Sequence, residues 1–263
     1  MMEALHVPTL AEMTQRGEKP DVLFWVGCAG SFDDRAKKIT KAFARLLQRS
    51  GVSFAVLGAE ESCTGDPARR AGNEFLFQMQ ALANIEVLQA YEVQRIVTTC
   101  PHCFNTLKNE YPELGGSFEV FHHTQYLQTL LKEGKLKVEG GAFKGKRIVF
   151  HDPCYLGRVN QEYEAPRALL STLEAELTEM RRCKKQGLCC GAGGAQMFKE
   201  PEAGDKDINH ERAEEALSTE PAIIATGCPF CNTMMTDGVK HFEKEGSVQV
   251  LDIAEAIAQA DEL

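Results

Sequence analysis

Short apolar runs alternate with longer amphipathic stretches along this 263-residue chain. Residues 22–27, 52–57 and 95–99 are runs of the short kind. Such runs are typical of strands that are buried on both faces of a parallel sheet. After the first run, apolar residues recur at helical spacing until Gly51, and Asp33 or Asp34 can cap that helix. With a second helix over residues 68–91, the pattern predicts a parallel sheet with helices on both faces.

The pattern occurs twice. Residues 22–28 correspond to 148–154, and residues 95–103 correspond to 223–231. The cysteines repeat as well: Cys28 and Cys63 recur 126 residues later as Cys154 and Cys189, and Cys100 and Cys103 recur 128 residues later as Cys228 and Cys231. We therefore predict two similar α/β lobes, residues 21–140 and 141–263, that meet near residues 140–145. Residues 1–20 are an arm or linker in this interpretation.

Charge and composition narrow the class of protein. The net charge of −9 argues against a broad nucleic-acid surface. No window approaches the roughly 18 apolar residues of a membrane span, and residues 1–20 lack the apolar core of a signal peptide. These features predict a cytoplasmic protein. Ten cysteines in a reducing compartment favour metal or redox chemistry over structural disulfides.

The repeated cysteines follow the predicted strands. Cys28, Cys100, Cys154 and Cys228 come directly after strands, where open α/β sheets place their ligands. Cys63 and Cys189 lie in the loops after the second strand of each lobe. We therefore expect these side chains to converge at one edge of each sheet.

Two adjacent cysteines, Cys189 and Cys190, begin a glycine-rich segment that ends at Gly194. Adjacent cysteines rarely bridge each other, because the disulfide would strain the peptide between them. Thiolates suit the iron of sulfur clusters, and four of them serve a cubane, one per iron. A fifth thiolate permits a bridge between two irons. The second lobe offers five candidate ligands: Cys154, Cys189, Cys190, Cys228 and Cys231.

These motifs resemble the CCG (cysteine-rich) domain family over residues 20–260. The family includes the B and D subunits of heterodisulfide reductase, the iron–sulfur subunits of glycolate and lactate oxidases, and quinone-linked oxidoreductases that accept electrons from electron-transfer flavoprotein. The resemblance implies two pseudo-symmetric Rossmann-like lobes. It also implies a noncubane [4Fe-4S] cluster on each complete motif, and hence on the five cysteines of the second lobe.

The first lobe departs from the family pattern. Cys63 is followed by Thr64 where the family has a second cysteine, so only four candidate ligands remain: Cys28, Cys63, Cys100 and Cys103. Four thiolates satisfy either a cubane cluster or a structural zinc ion. The sequence is compatible with three kinds of centre in this lobe: a second iron–sulfur cluster, an altered cluster or a zinc ion.

Three functions fit these features. The first is an iron–sulfur subunit that carries electrons within a multi-subunit oxidoreductase, between a flavoprotein or ferredoxin-type partner and a quinone or thiol/disulfide acceptor. The resemblance implies such partners, including a membrane quinone-reducing subunit, so the chain itself is cytoplasmic or peripheral to the membrane. The second is a catalytic disulfide reductase subunit that uses the noncubane cluster. The third is a zinc-stabilised scaffold without redox activity.

Three further features need interpretation. The two CxxC pairs could serve thiol–disulfide exchange, but a simple dithiol enzyme does not need the distant cysteines that repeat with them. His151 either bonds a cluster sulfur or moves a proton, or it merely packs. Cys183 belongs to neither repeat and is interpreted as a bystander thiol.

Overall fold

The structure, a computed structural model, describes residues 5–138, 141–200 and 203–261. The chain divides into two compact units, Met1–Lys137 and Val138–Glu262, which we call the first and second unit. Residues 1–4, 139–140, 201–202 and 262–263 of the predicted domains lie outside the described residues. The predicted boundary at residue 140 therefore stays a prediction.

Each unit contains a four-stranded sheet whose neighbouring strands all run parallel. The strands of the first unit are β1 (Val22–Trp25), β2 (Phe54–Ala55), β3 (Arg95–Thr98) and β4 (Glu119–His122). Those of the second are β5 (Arg147–Phe150), β6 (Glu176–Thr178), β7 (Ile223–Thr226) and β8 (Gln249–Asp252). The strand orders are β2-β1-β3-β4 and β6-β5-β7-β8. The two-lobed parallel α/β fold predicted from the sequence is thus confirmed.

Helices connect the strands. The first unit has α1 (Leu10–Gln15), α2 (Gly27–Phe32), α3 (Ala36–Arg49), α4 (Asp66–Arg70), α5 (Glu74–Ala90), α6 (Pro101–Asn105) and α7 (His123–Lys132). The second has α8 (Glu164–Ser171), α9 (Ile208–Leu217), α10 (Pro229–His241) and α11 (Ile253–Ala260). In the first unit the crossover from β1 to β2 runs toward one edge of the sheet, and those from β2 to β3 and from β3 to β4 run toward the other edge. Right-handed crossovers in opposite directions put their connecting helices on opposite faces of the sheet. Among the described residues, none of these helices combines the length and apolar character needed to cross a bilayer.

Helix α3 begins and ends as its sequence predicts. Asp33 Oδ1 accepts a hydrogen bond from the Ala36 N–H at 2.7 Å, which satisfies one unpaired donor of the first turn. Gly51 follows the helix with φ +68°, a conformation that costs glycine little. On the buried face, Phe43 contacts Phe24 of β1 edge-on with ring centroids 5.0 Å apart.

The prediction of a single helix over residues 68–91 is wrong. The segment forms two helices, α4 and α5, because Gly72 adopts φ +87° between them. Asn73 then starts α5, and its Oδ1 accepts a hydrogen bond from the Leu76 N–H at 3.0 Å. The apolar pattern continues across this break, so the pattern alone does not reveal it.

Part of the predicted arm is folded onto the first unit. Thr9 forms a capping box with Glu12 at the start of α1. The Leu10 N–H donates to the Val56 carbonyl at 2.9 Å, and the Leu10 and Met13 side chains are buried. These contacts attach α1 to the first unit at Val56, the residue directly after β2.

Helices α9 and α10 pack unusually closely in the second unit. A Cβ atom at Gly238 of α10 would lie only 2.4 Å from the Ala213 Cβ atom and 3.0 Å from the Asn209 carbonyl oxygen on α9. Glycine is therefore required for this approach. Because α10 also carries Cys231, the packing fixes one side of the region described next.

Candidate functional site

Cysteines cluster beyond the carboxyl ends of the two central strands of each sheet. Cys28 follows β1 and Cys100 follows β3, while Cys154 and Cys228 follow β5 and β7. Connections leave these central strands in opposite directions, and the crevice at such a reversal is the usual ligand position of an open α/β sheet.

The second unit brings its five predicted ligands together. Cys190 Sγ lies 3.4 Å from Cys231 Sγ, and Cys154 Sγ lies 4.0 Å from Cys189 Sγ. The thiol of Cys231 is also hydrogen-bonded to that of Cys228. Cys190, Cys228 and Cys231 are buried, whereas Cys154 and Cys189 are partly exposed. The five sulfurs thus form one cluster, with two of them on its accessible side.

Local structure explains the positions of these thiols. Cys228 precedes α10, whose first residue is Pro229, a residue suited to the first helical position. Cys231 then lies on the first turn of α10, near the unpaired N–H groups and the positive end of the helix dipole. Gly191 has φ +92°, and a Cβ atom there would lie 3.3 Å from the Ile208 Cβ atom. Its N–H donates to Cys189 Sγ at 3.3 Å.

Polar side chains hold the loop that carries Cys189 and Cys190. Asp152 Oδ2 accepts a hydrogen bond from the Lys184 N–H at 2.8 Å, and both of its oxygens bind the Arg167 guanidinium at 2.8 and 3.0 Å. Arg158 Nη1 donates to the Gly187 carbonyl at 2.6 Å. These contacts connect the Cys154 segment to the loop before the adjacent cysteines.

The first unit brings four thiols and one hydroxyl together. The thiols of Cys28 and Cys63 are hydrogen-bonded to each other, as are those of Cys100 and Cys103. The Thr64 hydroxyl donates to Cys103 Sγ at 3.9 Å. This contact corresponds to the one between Cys190 and Cys231 in the second unit, so a hydroxyl replaces the fifth thiol.

Polar side chains also hold the loops of the first cluster in place. The Glu61 carboxylate accepts hydrogen bonds from the N–H groups of Val26 and Gly27 at 3.0 and 2.6 Å. Burial raises the pKa of Glu61 to about 7. Asn84 Nδ2 donates to the Cys63 carbonyl at 3.0 Å. The loop that carries Cys63 is thereby tied both to the end of β1 and to α5.

Mutual contact shifts the thiol pKa values in both units. In the second unit, the bond to Cys154 lowers the pKa of Cys189, and the bond to Cys189 raises the pKa of Cys190 to about 12. In the first unit, the bond from Cys28 lowers the pKa of Cys63 to about 7 and raises that of Cys28. Crowded thiols resist ionising together, and a bound cation removes this penalty as protons are released. The donor sets therefore fit a soft, positively charged metal centre.

A buried histidine adjoins the second cluster. His151 is fully buried, and a ring nitrogen lies within 4.8 Å of the sulfurs of Cys190 and Cys231. His151 Nδ1 accepts a hydrogen bond from Arg212 Nε at 2.9 Å. Burial, together with the charge of Arg212, lowers the pKa of His151 to about 3, so the ring is neutral.

Sequence reasoning missed Arg212, which is itself completely buried on α9. Its Nη1 donates to the Arg182 carbonyl at 2.8 Å and to Glu215 Oε2 at 3.1 Å. Arg212 belongs to a run of charged residues that is typical of a solvated helix face. Cys183, by contrast, is partly exposed, and burial raises its pKa.

The class of protein follows from comparison with known sequences. The profile of the CCG family, described as a cysteine-rich domain, matches residues 22–108 and again residues 148–236. The two matches cover the β1–α6 and β5–α10 portions of the units, including every cysteine of the two clusters. The chain belongs to the CCG cysteine-rich domain family.

Similar proteins are named as oxidoreductases or as a reductase subunit, and one of them as iron–sulfur-binding. The chain is 47% identical over 255 residues to "Probable iron-sulfur-binding oxidoreductase FadF" of Bacillus subtilis, covering 97% of this chain and 36% of that protein. It is 44% identical to the EtfAB:quinone oxidoreductase of Syntrophomonas wolfei, covering 95% and 36%. It is 34% identical to the D subunit of the dihydromethanophenazine:CoB–CoM heterodisulfide reductase of Methanosarcina barkeri, covering 92% and 59%. The chain thus spans about a third of the length of the first two relatives.

Proposed function

We propose that this chain is the electron-carrying iron–sulfur part of an oxidoreductase. In this proposal Cys154, Cys189, Cys190, Cys228 and Cys231 hold a noncubane [4Fe-4S] cluster. The observation that carries the proposal is the convergence of these five thiols, with Cys190 and Cys231 3.4 Å apart and Cys154 and Cys189 4.0 Å apart. Five thiolates exceed the four that a zinc ion or a cubane takes.

A bound iron–sulfur cluster would supply one-electron redox chemistry at this position. The chain's own groups hold it and set its surroundings. Burial of Cys190, Cys228 and Cys231 excludes water from one side. The Gly191 N–H and the first turn of α10 place positive partial charge near the sulfurs, which stabilises a more negative, reduced centre.

For the first unit we propose a four-thiolate centre on Cys28, Cys63, Cys100 and Cys103. A cubane [4Fe-4S] cluster is the form that serves electron transfer, and zinc is the alternative that metal analysis distinguishes. The Thr64 hydroxyl, in contact with Cys103, supports four rather than five thiolate ligands here.

The relatives suggest which partners exchange electrons with the chain. One is named an EtfAB:quinone oxidoreductase and another is part of a heterodisulfide reductase. We therefore propose a flavoprotein or a ferredoxin-like iron–sulfur subunit as donor, and a quinone-reducing subunit in the membrane or a thiol/disulfide couple as acceptor. In the longer relatives, the chain corresponds to only about a third of the protein, so these partners belong to the proposal.

Anaerobic redox titration tests the electron-carrying role. The purified chain is reduced stepwise with dithionite while visible absorption and EPR spectra are recorded, and it is then reoxidised with a soluble quinone. We expect reversible reduction and electron delivery to the quinone, and Cys231→Ser should abolish the contribution of the second unit. A protein that purifies with iron but cannot be reduced and reoxidised would contradict the proposal.

A second candidate function is disulfide reduction at the second unit. Cys154 and Cys189 are partly exposed, unlike the other three thiols, so a small disulfide has an approach to that side of the cluster. Reduction of the disulfide to two thiols takes two electrons from the donor partner and two protons from water. Disulfide-dependent oxidation of reduced methyl viologen, lost in Cys189→Ser, would favour this candidate over electron transfer alone.

A further inference from the structure

The second unit buries an imidazole and a guanidinium side by side next to its thiols. His151 and Arg212 are each 0% exposed, and Arg212 Nε donates to His151 Nδ1 at 2.9 Å. The backbone N–H of His151 donates to the Ala225 carbonyl at 2.9 Å, which extends the β5–β7 pairing by one residue. His151 is therefore held both through its backbone and through its ring, within 4.8 Å of the sulfurs of Cys190 and Cys231.

The bond from Arg212 determines the tautomer of His151. A guanidinium has only donors, so Nδ1 must accept with its lone pair. The proton of the neutral ring then lies on Nε2, which is fully buried and has no hydrogen-bond partner among the described residues. A buried N–H without an acceptor is unfavourable. The imidazole lies within 4.8 Å of the sulfurs of Cys190 and Cys231, and sulfur at a centre bound there can accept a hydrogen bond from an N–H.

We propose that His151, held in the Nε2–H tautomer by Arg212, donates a hydrogen bond to sulfur at the centre of the second unit and raises its reduction potential. This inference rests on the proposed function of that unit. A hydrogen bond to sulfur stabilises the reduced state, which carries more negative charge. His151 is not a metal ligand in this arrangement, because protonated Nε2 has no lone pair to offer. Arg212 is a positioning residue that acts through His151.

The first unit contains a parallel arrangement. Trp25 precedes Cys28 by three residues, as His151 precedes Cys154. Trp25 is 0% exposed, and its Nε1 also has no hydrogen-bond partner within the described part of the chain. The indole nitrogen can only donate. Both units thus place a buried, unused N–H donor at the same position relative to the strand-end cysteine.

The tautomer can be measured without any cluster. In the metal-free full chain labelled with ¹⁵N-histidine, ring nitrogen shifts distinguish Nδ1–H from Nε2–H, and His151→Gln identifies the His151 signals. We expect a neutral ring with the proton on Nε2, and loss of this single tautomer in Arg212→Gln. A wild-type ring that is charged or protonated on Nδ1 would overturn the inference.

The effect on potential is measured on the anaerobically prepared iron protein. His151→Leu removes the donor, whereas His151→Gln keeps an amide N–H near the position of Nε2. We expect both variants to keep wild-type iron content. In His151→Leu the reduction equilibrium should shift about tenfold toward the oxidised state, ~59 mV for one electron, and His151→Gln should retain most of the wild-type potential.

The outcomes separate the two proposals. Loss of iron in both His151→Leu and His151→Gln would indicate that His151 is a metal ligand. An unchanged reduction potential in His151→Leu would show that its N–H does not tune the centre. Either result overturns the inference. A wild-type protein without reducible iron would instead refute the proposed function. The ¹⁵N measurement on metal-free protein still decides the tautomer in that case, and Arg212→Gln provides a second test if His151→Leu does not fold.

Discussion

Replacing Thr64 with cysteine should convert the four-thiolate site of the first unit into a five-thiolate site. The Thr64 Oγ1 to Cys103 Sγ distance is 3.9 Å, and the corresponding distance between Cys190 and Cys231 in the second unit is 3.4 Å. The new sulfur therefore has to approach by only 0.5 Å, and the longer carbon–sulfur bond supplies part of this approach. Thr64 is 2% exposed, so the substitution buries the new thiol where a ligand is needed.

The cost to folding is small. Thr64→Cys removes one buried methyl group, which contributes about 1 kcal/mol to the free energy of unfolding. Thr64→Ser removes the same methyl group and keeps the hydroxyl, so it is a matched control that differs from the cysteine variant only in oxygen against sulfur. A difference between the two variants then reports ligation and not packing.

The assay is iron, sulfide and zinc content together with the EPR spectrum of the reduced, anaerobically purified protein. In Thr64→Cys the signal of the first unit should move toward that of the second, whereas Thr64→Ser should retain the wild-type first-unit spectrum. If the cysteine and serine variants have the same metal content and the same spectra, Thr64 does not determine the type of centre, and the comparison of the two units is mistaken.

Three further substitutions test the site and the fold. Cys190→Ser should change or abolish the second-unit cluster, and wild-type iron content with an unaltered spectrum would exclude Cys190 as a ligand. Cys183→Ser should leave iron content and spectrum intact; iron loss would show that this thiol is not a bystander. Gly238→Ala should lower the free energy of unfolding by about 1–3 kcal/mol in a denaturant titration, because its Cβ would lie 2.4 Å from that of Ala213 and this overlap outweighs the helix preference for alanine. Gly246→Ala is the control, since its Cβ meets nothing within 4 Å, and equal stability of the two variants would contradict the packing argument.

The fold could be predicted because the same sequence pattern occurs in both halves of the chain. Residues 22–28 and 148–154 repeat an apolar run that ends in cysteine, and an apolar run of that length suits a strand buried on both faces. The carboxyl ends of parallel strands share one edge of a sheet, so cysteines after successive strands must lie near each other. The break at Gly72 was not predicted, because the apolar pattern is the same for one helix and for two.

The groups around the cysteines were less predictable. Arg212 lies in a charged run, and only the packing of α9 in the second unit shows that its guanidinium is buried against His151. One signal was available in the repeat: the offset of 128 that relates Cys100 to Cys228 also relates Asn84 to Arg212. Asn84 is buried as well and donates to the Cys63 carbonyl. Asn84 and Arg212 thus occupy corresponding buried positions of the two repeats, and each donates a hydrogen bond to a loop carbonyl, that of Cys63 or that of Arg182.

We propose that both cysteine clusters hold redox-active metal centres. The most direct test is the number of iron, acid-labile sulfide and zinc atoms per 263-residue chain in protein purified under strict exclusion of oxygen. We expect about eight iron atoms with matching sulfide and no zinc, four iron atoms for each cluster of thiols. About four iron atoms with one zinc would restrict the redox role to the second unit. Zinc alone, without iron or sulfide, would contradict the claim.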